Sequence, residues 1–235
     1  MSVPHSAMVL AAGLGTRMRP LTNDRPKPVI EAAGRSLVDR SLDRVEEIGV
    51  NRAVVNLHYL PQMLRSHLAG RSTPTIEFSD ETDELLETGG GIVRALPLLG
   101  EDPFVVINSD NIWIGEHALS SLVEAWKPDV MDVLLLLVPV EKAVGYTRSG
   151  DFELDTGARL IRRGEKPTAP FVFSGAQIIK PDVFVSAPGG PFSLNIVWDE
   201  IIASRRAFGV VHNDRWCDVG TPDGLRLAEA AVRAG

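Results

Sequence analysis

The sequence predicts an α/β fold in which a mostly parallel sheet is covered by helices on both faces. Through the first 140 residues, short apolar runs typical of buried strands alternate with segments of helical periodicity, which is the pattern of such a sheet. Beyond Pro139, short strand-like pieces separated by Gly, Pro and charged turns replace this alternation. No Pro- or Ser-rich linker intervenes, so we expect a small antiparallel addition to the same sheet and a single domain over residues 1–235.

Apolar runs, caps and breakers predict the elements in order. Residues 8–12 form the first buried strand, and Ser36 is placed to cap a helix through residue 48 that Gly49 ends. The other predicted strands are residues 53–57, 75–78, 104–107, 132–138, 151–154, 159–163, 171–179 and 208–212. The other predicted helices are residues 61–69, 92–99, 118–126, 195–205 and 221–234, with Thr221 as the cap of the last one. Residues 216–220 are predicted to form a loop.

Composition limits the classes of function. The chain has 235 residues, of which 44% are hydrophobic and 23% charged, as is ordinary for a soluble globular protein. A net charge of −7 argues against nucleic-acid binding, which normally needs a basic face. The single cysteine, Cys217, excludes an internal disulfide and a cysteine-cluster zinc site. No apolar run is long enough to span a bilayer and no signal peptide is recognisable, so we expect a cytoplasmic protein without membrane contact.

A loop that follows the first strand is suited to binding a polyphosphate. Gly13 and Gly15 leave backbone N–H groups accessible, and Arg17 adds a guanidinium whose fork matches phosphate oxygens. Lys27 lies between two prolines, which restrict its backbone. The glycine spacing fits neither the Walker nor the dinucleotide-binding pattern. The alternative is a plain strand-to-helix turn with scattered surface cations, but Arg17 and Lys27 favour phosphate binding.

Three chemically suggestive segments follow predicted strands, namely residues 13–17, 87–91 and 108–111. Ligands of open α/β sheets bind at the carboxyl ends of the strands. We therefore expect these segments to converge on one cleft, and their convergence is stronger evidence for a site than any one of them.

Asp110 is a candidate ligand for Mg²⁺, because it directly follows the buried strand 104–107 and lies near the predicted phosphate loop. Mg²⁺ usually takes one or two carboxylates together with substrate phosphates. The alternative is a turn aspartate that caps the next segment. Asp218 is the leading candidate for a second carboxylate, although it could equally interact with the dipole of the helix that follows.

Two further segments have both a structural and a functional interpretation. Residues 87–91, Glu-Thr-Gly-Gly-Gly, are either a flexible hinge or a place where backbone closely approaches a flat ring or a sugar. Glu165 and Lys166 are either a charged turn, or an acceptor for sugar hydroxyls and a cation for a phosphate.

The residues from Leu10 to Thr22, together with Pro26-Lys27-Pro28, resemble the signature of the sugar-1-phosphate nucleotidylyltransferases. The resemblance continues through residues 87–91, 108–110, 165–167 and 216–222, and so covers essentially the whole chain. It implies a Rossmann-like three-layer sandwich that joins a nucleoside triphosphate to a sugar 1-phosphate and releases pyrophosphate. Residues 1–140 would then form the nucleotide-binding part, and residues 141–235 the sugar-binding part.

The resemblance also implies roles for single residues. Arg17, Lys27 and Asp110 would be catalytic, and Asp110 and Asp218 would hold Mg²⁺. The nucleotide would contact Leu10, Ala11, Ala12, Gly13, Gly15, Thr16, Arg17, Lys27, Asn56, Glu87, Thr88, Gly89 and Asn108. The sugar would contact Gly150, Glu165, Lys166, Gly175 and Asn195.

Within this family, residues 56–59, 86–91, 111–113 and 150–152 most resemble the uridylyltransferases that act on N-acetylmuramate 1-phosphate in cell-wall recycling. UTP and that sugar phosphate are therefore the expected substrates, and the protein is expected to be a monomer or a homo-oligomer. Ser109 departs from the glycine that these relatives usually have beside the metal aspartate, which affects substrate preference rather than chemistry. The alternatives are guanylyl transfer to mannose 1-phosphate, thymidylyl or uridylyl transfer to glucose 1-phosphate, and a non-catalytic subunit that binds sugar nucleotides.

Overall fold

The structure is a computed structural model that describes residues 3–115 and 118–234. Its strands are β1 (Ser6–Leu10), β2 (Glu31–Ala32), β3 (Arg35–Ser36), β4 (Arg52–Leu57), β5 (Thr75–Asp80), β6 (Phe104–Asn108), β7 (Asn111–Trp113), β8 (Val133–Pro139), β9 (Ala143–Val144), β10 (Phe152–Leu154), β11 (Leu160–Arg162), β12 (Phe171–Ile179), β13 (Ala207–Val211) and β14 (Trp216–Asp218). Its helices are α1 (Leu37–Glu47), α2 (Pro61–Leu68), α3 (Glu87–Leu99), α4 (Ser120–Ala125), α5 (Asn195–Ala203) and α6 (Pro222–Ala234). None of these helices has the length and apolarity needed to cross a membrane.

The central sheet is mostly parallel, as the sequence predicts. Strands β5, β4, β1 and β6 lie side by side in parallel, with Met8 opposite both Val54 and Val106. Strand β12 runs antiparallel between β6 and β8, and β13 pairs with β8 in parallel. Strands β10 and β11 form an antiparallel hairpin beside β12. The predicted antiparallel addition is therefore part of the central sheet.

Helices cover both faces of this sheet, because the side chains of each strand alternate between the two faces. On one face, Val9 packs in a buried cluster with Leu42 of α1 and Leu122 of α4. On the other face, Met8 packs in a second cluster with Ile92 of α3 and Val197 of α5. Burial of each such side chain contributes about 1.5–3 kcal/mol to stability. The three-layer arrangement fixes the carboxyl ends of the strands, where the candidate site lies.

The helix caps that the sequence predicts are present. The Oγ of Ser36 accepts a hydrogen bond from the Asp39 N–H at 3.1 Å at the start of α1. The Oγ1 of Thr221 accepts one from the Gly224 N–H at 3.1 Å at the start of α6. Each cap satisfies a backbone donor that has no partner within its own helix.

The predicted loop at residues 216–220 is wrong, because residues 216–218 form β14 in a small second sheet with β7 and β9. This sheet packs with α6 around a separate buried cluster that includes Met18, Leu37 and Cys217. A three-residue strand that pairs with distant segments leaves no local periodicity in the sequence, which explains the error.

Helix α3 begins at Glu87, five residues before the predicted start at residue 92. Gly89, Gly90 and Gly91 therefore lie within the helix and not in a loop before it. Intrinsic propensity disfavours glycine in a helix by about 1 kcal/mol per residue, and here tertiary contacts override it. The N–H groups of Gly89 and Gly90 donate to the carbonyl of Phe192 at 2.9 and 3.3 Å. The predicted helix at residues 118–126 is correspondingly shorter, at Ser120–Ala125.

Candidate active site

Two cavities meet at the carboxyl ends of β1 and β6. The first cavity has a volume of about 410 Å³, and the second cavity one of about 360 Å³. Leu10, Thr88, Asn108, Asp110 and Ser193 line both cavities. The three segments that the sequence singles out thus contribute to one continuous cleft, with Asp110 at the junction.

Hydrogen bonds to Asn56 and Thr22 hold the predicted phosphate loop in place, and the amides of the loop stay accessible. The Ala11 N–H donates to Oδ1 of Asn56 at 2.6 Å, and the Thr22 hydroxyl donates to the Gly15 carbonyl at 2.8 Å. Gly15 has a φ of +62° and packs against Thr22, a conformation and a space that favour glycine. Within the described ranges, the N–H groups of residues 13–17 donate to no protein acceptor. Such amides are suited to an anion.

Asn56 supports the loop through a buried hydrogen-bond network. Its Nδ2 donates to Oε1 of Glu81 at 2.7 Å, while the Leu86 N–H donates to Oε2 of the same carboxyl at 3.3 Å. Burial raises the pKa of Glu81 against these two hydrogen bonds. Asn56 lines the first cavity, but its amide is already engaged in holding the loop.

Lys27 reaches the junction of the cavities. Its Nζ lies 2.7 Å from Oδ2 of Asp110, and its side chain is only 12% exposed, against 32% for Asp110. Pro28 lies within a single helical turn, Lys27–Val29, and Pro26 immediately precedes that turn. The ammonium is therefore held next to Asp110, which lines both cavities.

Strand pairing brings the two predicted metal ligands together. Asp218 of β14 lies opposite Asn111 of β7, and the Val219 N–H donates to the Asp110 carbonyl at 3.1 Å. Burial raises the pKa of Asp218, and the negative charge of Asp110 adds to this effect. Two neighbouring carboxylates with unfavourable mutual charge are suited to a divalent cation. Among the described residues, no group of three or more potential metal-ligating side chains occurs, so any cation here would complete its coordination with water or phosphate oxygens.

Arg17 lies beside this carboxylate pair. A Cβ atom built on Gly220 would be 3.1 Å from Oδ1 of Asp218 and 3.3 Å from Nη2 of Arg17. Arg17 lines the second cavity, and its charge lowers the pKa of Asp218 after those of Arg148 and Lys27. Three cations therefore face the carboxylates at the junction.

The start of α3 forms one wall of the cleft. Glu87 and Thr88 line the first cavity, and the Thr88 Oγ1 accepts a hydrogen bond from the Leu194 N–H at 2.9 Å. Gly89 does not line either cavity, because it packs against the ring of Phe192. The glycines thus allow the segment that contains Phe192 and Ser193 to approach the helix closely.

The structure places some of the residues expected on the sugar side at the second cavity and others away from it. Asn195 lines the second cavity. Gly175 lies beneath it, with a φ of +87° and no room for a Cβ beside Asn111. Gly150 is buried against the Ala169 carbonyl. Glu165 is exposed, and Lys166 pairs with Glu153 at 2.7 Å, so neither of these two side chains lines the cleft.

Other residues that the sequence does not single out line the second cavity. Among them are Arg148, Arg162, Gln177 and Trp198. They come from loops and strands of the antiparallel part and, for Trp198, from helix α5, where local sequence carries no motif. Residues 152–162 contain a single aromatic residue, Phe152, and two arginines, Arg159 and Arg162, a composition ordinary for an exposed hairpin.

Ser109 does not present its hydroxyl to a ligand in this structure. Its Oγ donates to the Leu10 carbonyl at 2.8 Å, and the residue is 5% exposed. The Ser109 side chain therefore ties the end of β6 to β1 at the edge of the first cavity.

The family model of the nucleotidyl transferases matches residues 6–235. The chain belongs to the nucleotidyl transferase family. It is 45% identical to the N-acetylmuramate alpha-1-phosphate uridylyltransferase of Caulobacter vibrioides, over 97% of both chains. It is 35% identical to the protein of the same name from Neisseria meningitidis serogroup B, over 97% of this chain and 98% of the relative.

Solved structures show the same fold. A UDP-glucose pyrophosphorylase complexed with UDP-glucose superposes with a TM-score of 0.78 at 17% identity, covering 97% of this chain and 98% of that one. The Rossmann-like α/β class that the sequence predicts is thereby confirmed for this nucleotidyltransferase.

Proposed function

We propose that this nucleotidyltransferase transfers the uridylyl group of UTP to N-acetylmuramate 1-phosphate, giving the UDP-sugar and pyrophosphate for cell-wall recycling. The names and the 45% and 35% identities of the two uridylyltransferase relatives support the choice of substrates. The observation that carries the proposal is the meeting of two cavities at Asp110, beside Lys27, Arg17 and Asp218. A reaction between two bound anions needs adjacent binding sites, with cations at the point where the two anions meet. A cytoplasmic location, the absence of nucleic-acid and membrane partners, and a monomeric or homo-oligomeric state remain predictions.

In this proposal the nucleotide occupies the first cavity. The accessible amides of residues 13–17 bind the triphosphate, and Leu85, Glu87 and Thr88 form the wall that faces the base. The sugar phosphate occupies the second cavity, where Asn195 lies at the start of α5. Arg148, which the sequence did not single out, takes the place in the cleft that was expected for Lys166.

The reaction requires little acid–base catalysis. A sugar phosphate is largely a dianion near neutral pH, since its second pKa is about 6. One of its oxygens attacks the α-phosphorus of UTP, a new P–O bond forms there, and the bond to the β-phosphate oxygen breaks with release of pyrophosphate. The protein positions the two anions and neutralises the charge that develops on the leaving group.

Named side chains of the cleft supply this positive field. Lys27, at the junction of the cavities, lies where the α-phosphate and the sugar phosphate would meet. Arg17, after the accessible amides, lies where the pyrophosphate would leave. Asp110 and Asp218 would hold Mg²⁺, which supplies charge neutralisation for the transferring phosphate when it is bound.

We expect direct transfer without a covalent enzyme intermediate, because the cleft places the acceptor cavity beside the donor cavity. Incubation with α-labelled UTP alone should leave no label on the denatured protein. Recovery of uridylylated protein that passes its label to the sugar phosphate would contradict direct transfer.

The substrate assignment is tested by pyrophosphate release from UTP, GTP, dTTP and CTP, each with N-acetylmuramate, N-acetylglucosamine, glucose and mannose 1-phosphates. We expect the highest kcat/KM with UTP and N-acetylmuramate 1-phosphate. Preference for GTP with mannose 1-phosphate, or for a triphosphate with glucose 1-phosphate, would show that those compounds are the substrates and that the proposed pair is wrong. Binding of UDP-sugars without turnover of any pair would instead indicate a non-catalytic subunit.

A further inference from the structure

The second cavity is lined by three arginines and three aspartates, and one of these arginines, Arg162, is not among the cations at the carboxylate pair. Uncharged donors and acceptors are sufficient to recognise the hydroxyl and acetamido groups of a sugar. Besides Arg17 at the junction, Arg148 and Arg162 line this cavity. Arg148 and Asp218 both line this cavity, and the charge of Arg148 lowers the pKa of Asp218, so we assign Arg148 to the phosphate end. Arg162 is left without an evident function in phosphoryl transfer.

Arg162 is held rigidly at the aromatic end of the second cavity. Its Cζ lies 4.9 Å from the ring centroid of Phe152 and 5.5 Å from that of Trp198. Its Nε donates to Oδ1 of Asp199 at 2.8 Å, and its Nη2 to the Asn195 carbonyl at 3.3 Å. Its Nη1 donates to no acceptor within residues 3–115 and 118–234. A fixed guanidinium with a remaining donor is preorganised for an anionic ligand.

A second unused donor lies at the same end. Gln177 is fully buried, and its Oε1 accepts a hydrogen bond from the indole N–H of Trp198 at 2.8 Å. Its Nε2 has no partner in the described part of the chain. An unsatisfied buried donor costs about 1–3 kcal/mol, so a ligand acceptor at this position would relieve that cost. Gln177 and Arg162 both contact Trp198, and both line the second cavity.

We propose that Arg162, with Gln177, binds a carboxylate that the sugar carries away from its phosphate, and that Arg162 thereby selects N-acetylmuramate 1-phosphate over neutral amino sugars. This inference rests on the proposed function. N-Acetylmuramate differs from N-acetylglucosamine by a lactyl ether on O3 that ends in a carboxylate. The two ends of the cavity, Arg148 at the phosphate and Arg162 at the aromatic residues, match the two anionic ends of that substrate.

The test compares three acceptors with UTP: N-acetylmuramate 1-phosphate, its lactyl carboxamide, and N-acetylglucosamine 1-phosphate. For Arg162→Gln we expect kcat/KM for the carboxylate substrate to fall roughly 10- to 100-fold, mainly through KM, with less than about a threefold change for the two neutral acceptors. Arg162→Lys should restore part of the selectivity. Arg159→Gln is the matched control, because Arg159 also stacks on an aromatic ring, at 5.0 Å from Phe208, but lies outside the cavity.

Equal losses of kcat/KM for all three acceptors in Arg162→Gln would show that Arg162 only supports Trp198 structurally, and would overturn the inference. Equal turnover of the carboxylate and carboxamide substrates by the wild-type protein would also overturn it. Both outcomes leave the proposed function intact. Absence of wild-type turnover of N-acetylmuramate 1-phosphate would overturn the proposed function and the inference together.

Discussion

At the residue scale, the two carboxylates of the candidate site, Asp110 and Asp218, are paired unequally with the cations around them. Lys27 pairs directly with Asp110 at 2.7 Å, whereas Asp218 has no ion pair among the described residues and lies beside the Arg17 guanidinium. The sequence singled out Arg17 and Lys27 as cations suited to a polyphosphate and Asp110 as a candidate ligand for Mg²⁺. It could not predict the direct Lys27–Asp110 pair, because the distance between two segments 83 residues apart is set by the fold.

Replacement of either aspartate should abolish most turnover. For Asp110→Asn and Asp218→Asn we expect kcat to fall by about 10²- to 10³-fold or more, because each variant removes a carboxylate that would hold Mg²⁺. Pyrophosphate release at several magnesium concentrations measures the effect. Asp182→Asn, an exposed position outside the cleft, is the control and should retain wild-type activity. Unchanged magnesium dependence in either cleft variant would remove that aspartate from the metal site.

The same Asp218→Asn variant should be more stable than the wild type near neutral pH. Burial, reinforced by Asp110, raises the pKa of Asp218, so the folded state binds its proton more tightly than the unfolded state. Stability is then lost as pH rises from the unfolded pKa through the raised folded pKa. In metal-free buffer, the urea midpoint of the variant should exceed that of the wild type at about pH 7 and approach it at about pH 3. A lower midpoint for the variant at neutral pH would contradict this reading of the site.

At the element scale, local signals predict the regular elements well and the short ones poorly. Helix α1 with its Ser36 cap, and strand β12 at Phe171–Ile179, lie where the sequence predicts them. Helix α3 begins earlier because Phe192, about 100 residues later, supplies the acceptor for two of its first amides. Strand β14 exists because β7 and β9 pair with it. Such long-range contacts leave no periodicity in the local sequence.

The glycines of α3 should be required for packing and not for helix formation. Alanine normally stabilises a helix by about 1 kcal/mol over glycine, but a Cβ on Gly90 would overlap the Gly190 carbonyl. We therefore expect Gly90→Ala to lower the free energy of unfolding by about 1–3 kcal/mol. It should also lower kcat/KM, because the displaced segment carries Ser193, which lines both cavities.

Gly189→Ala is the control for this prediction. A Cβ at Gly189 would meet no atom within 4 Å, so urea unfolding and kinetics of that variant should match the wild type. A Gly90→Ala protein that is as stable and active as Gly189→Ala would show that the segment adapts without cost.

At the scale of the whole molecule, the mixed sheet joins the two halves of the chain at one cleft. Strands β1 and β6 bring Leu10 and Asn108 to the junction, and β12 brings Gln177 beneath the second cavity. The sequence predicted this convergence for the parallel part, since the carboxyl ends of parallel strands share one edge. It placed the sugar side less well: Glu165 and Lys166 lie on an outer turn, while Arg148 and Arg162 line the cavity. Antiparallel register decides which residues face inward, and a motif does not reveal it.

We expect the two cavities to hold the two halves of the product and to meet at the reacting phosphate. A crystal structure with Mg²⁺ and UDP-N-acetylmuramate tests it most directly. We expect the uracil ring in the first cavity, the sugar in the second, and the diphosphate at Asp110 and Asp218 beside Lys27. A sugar bound in the first cavity, or a diphosphate bound away from both aspartates, would contradict the account.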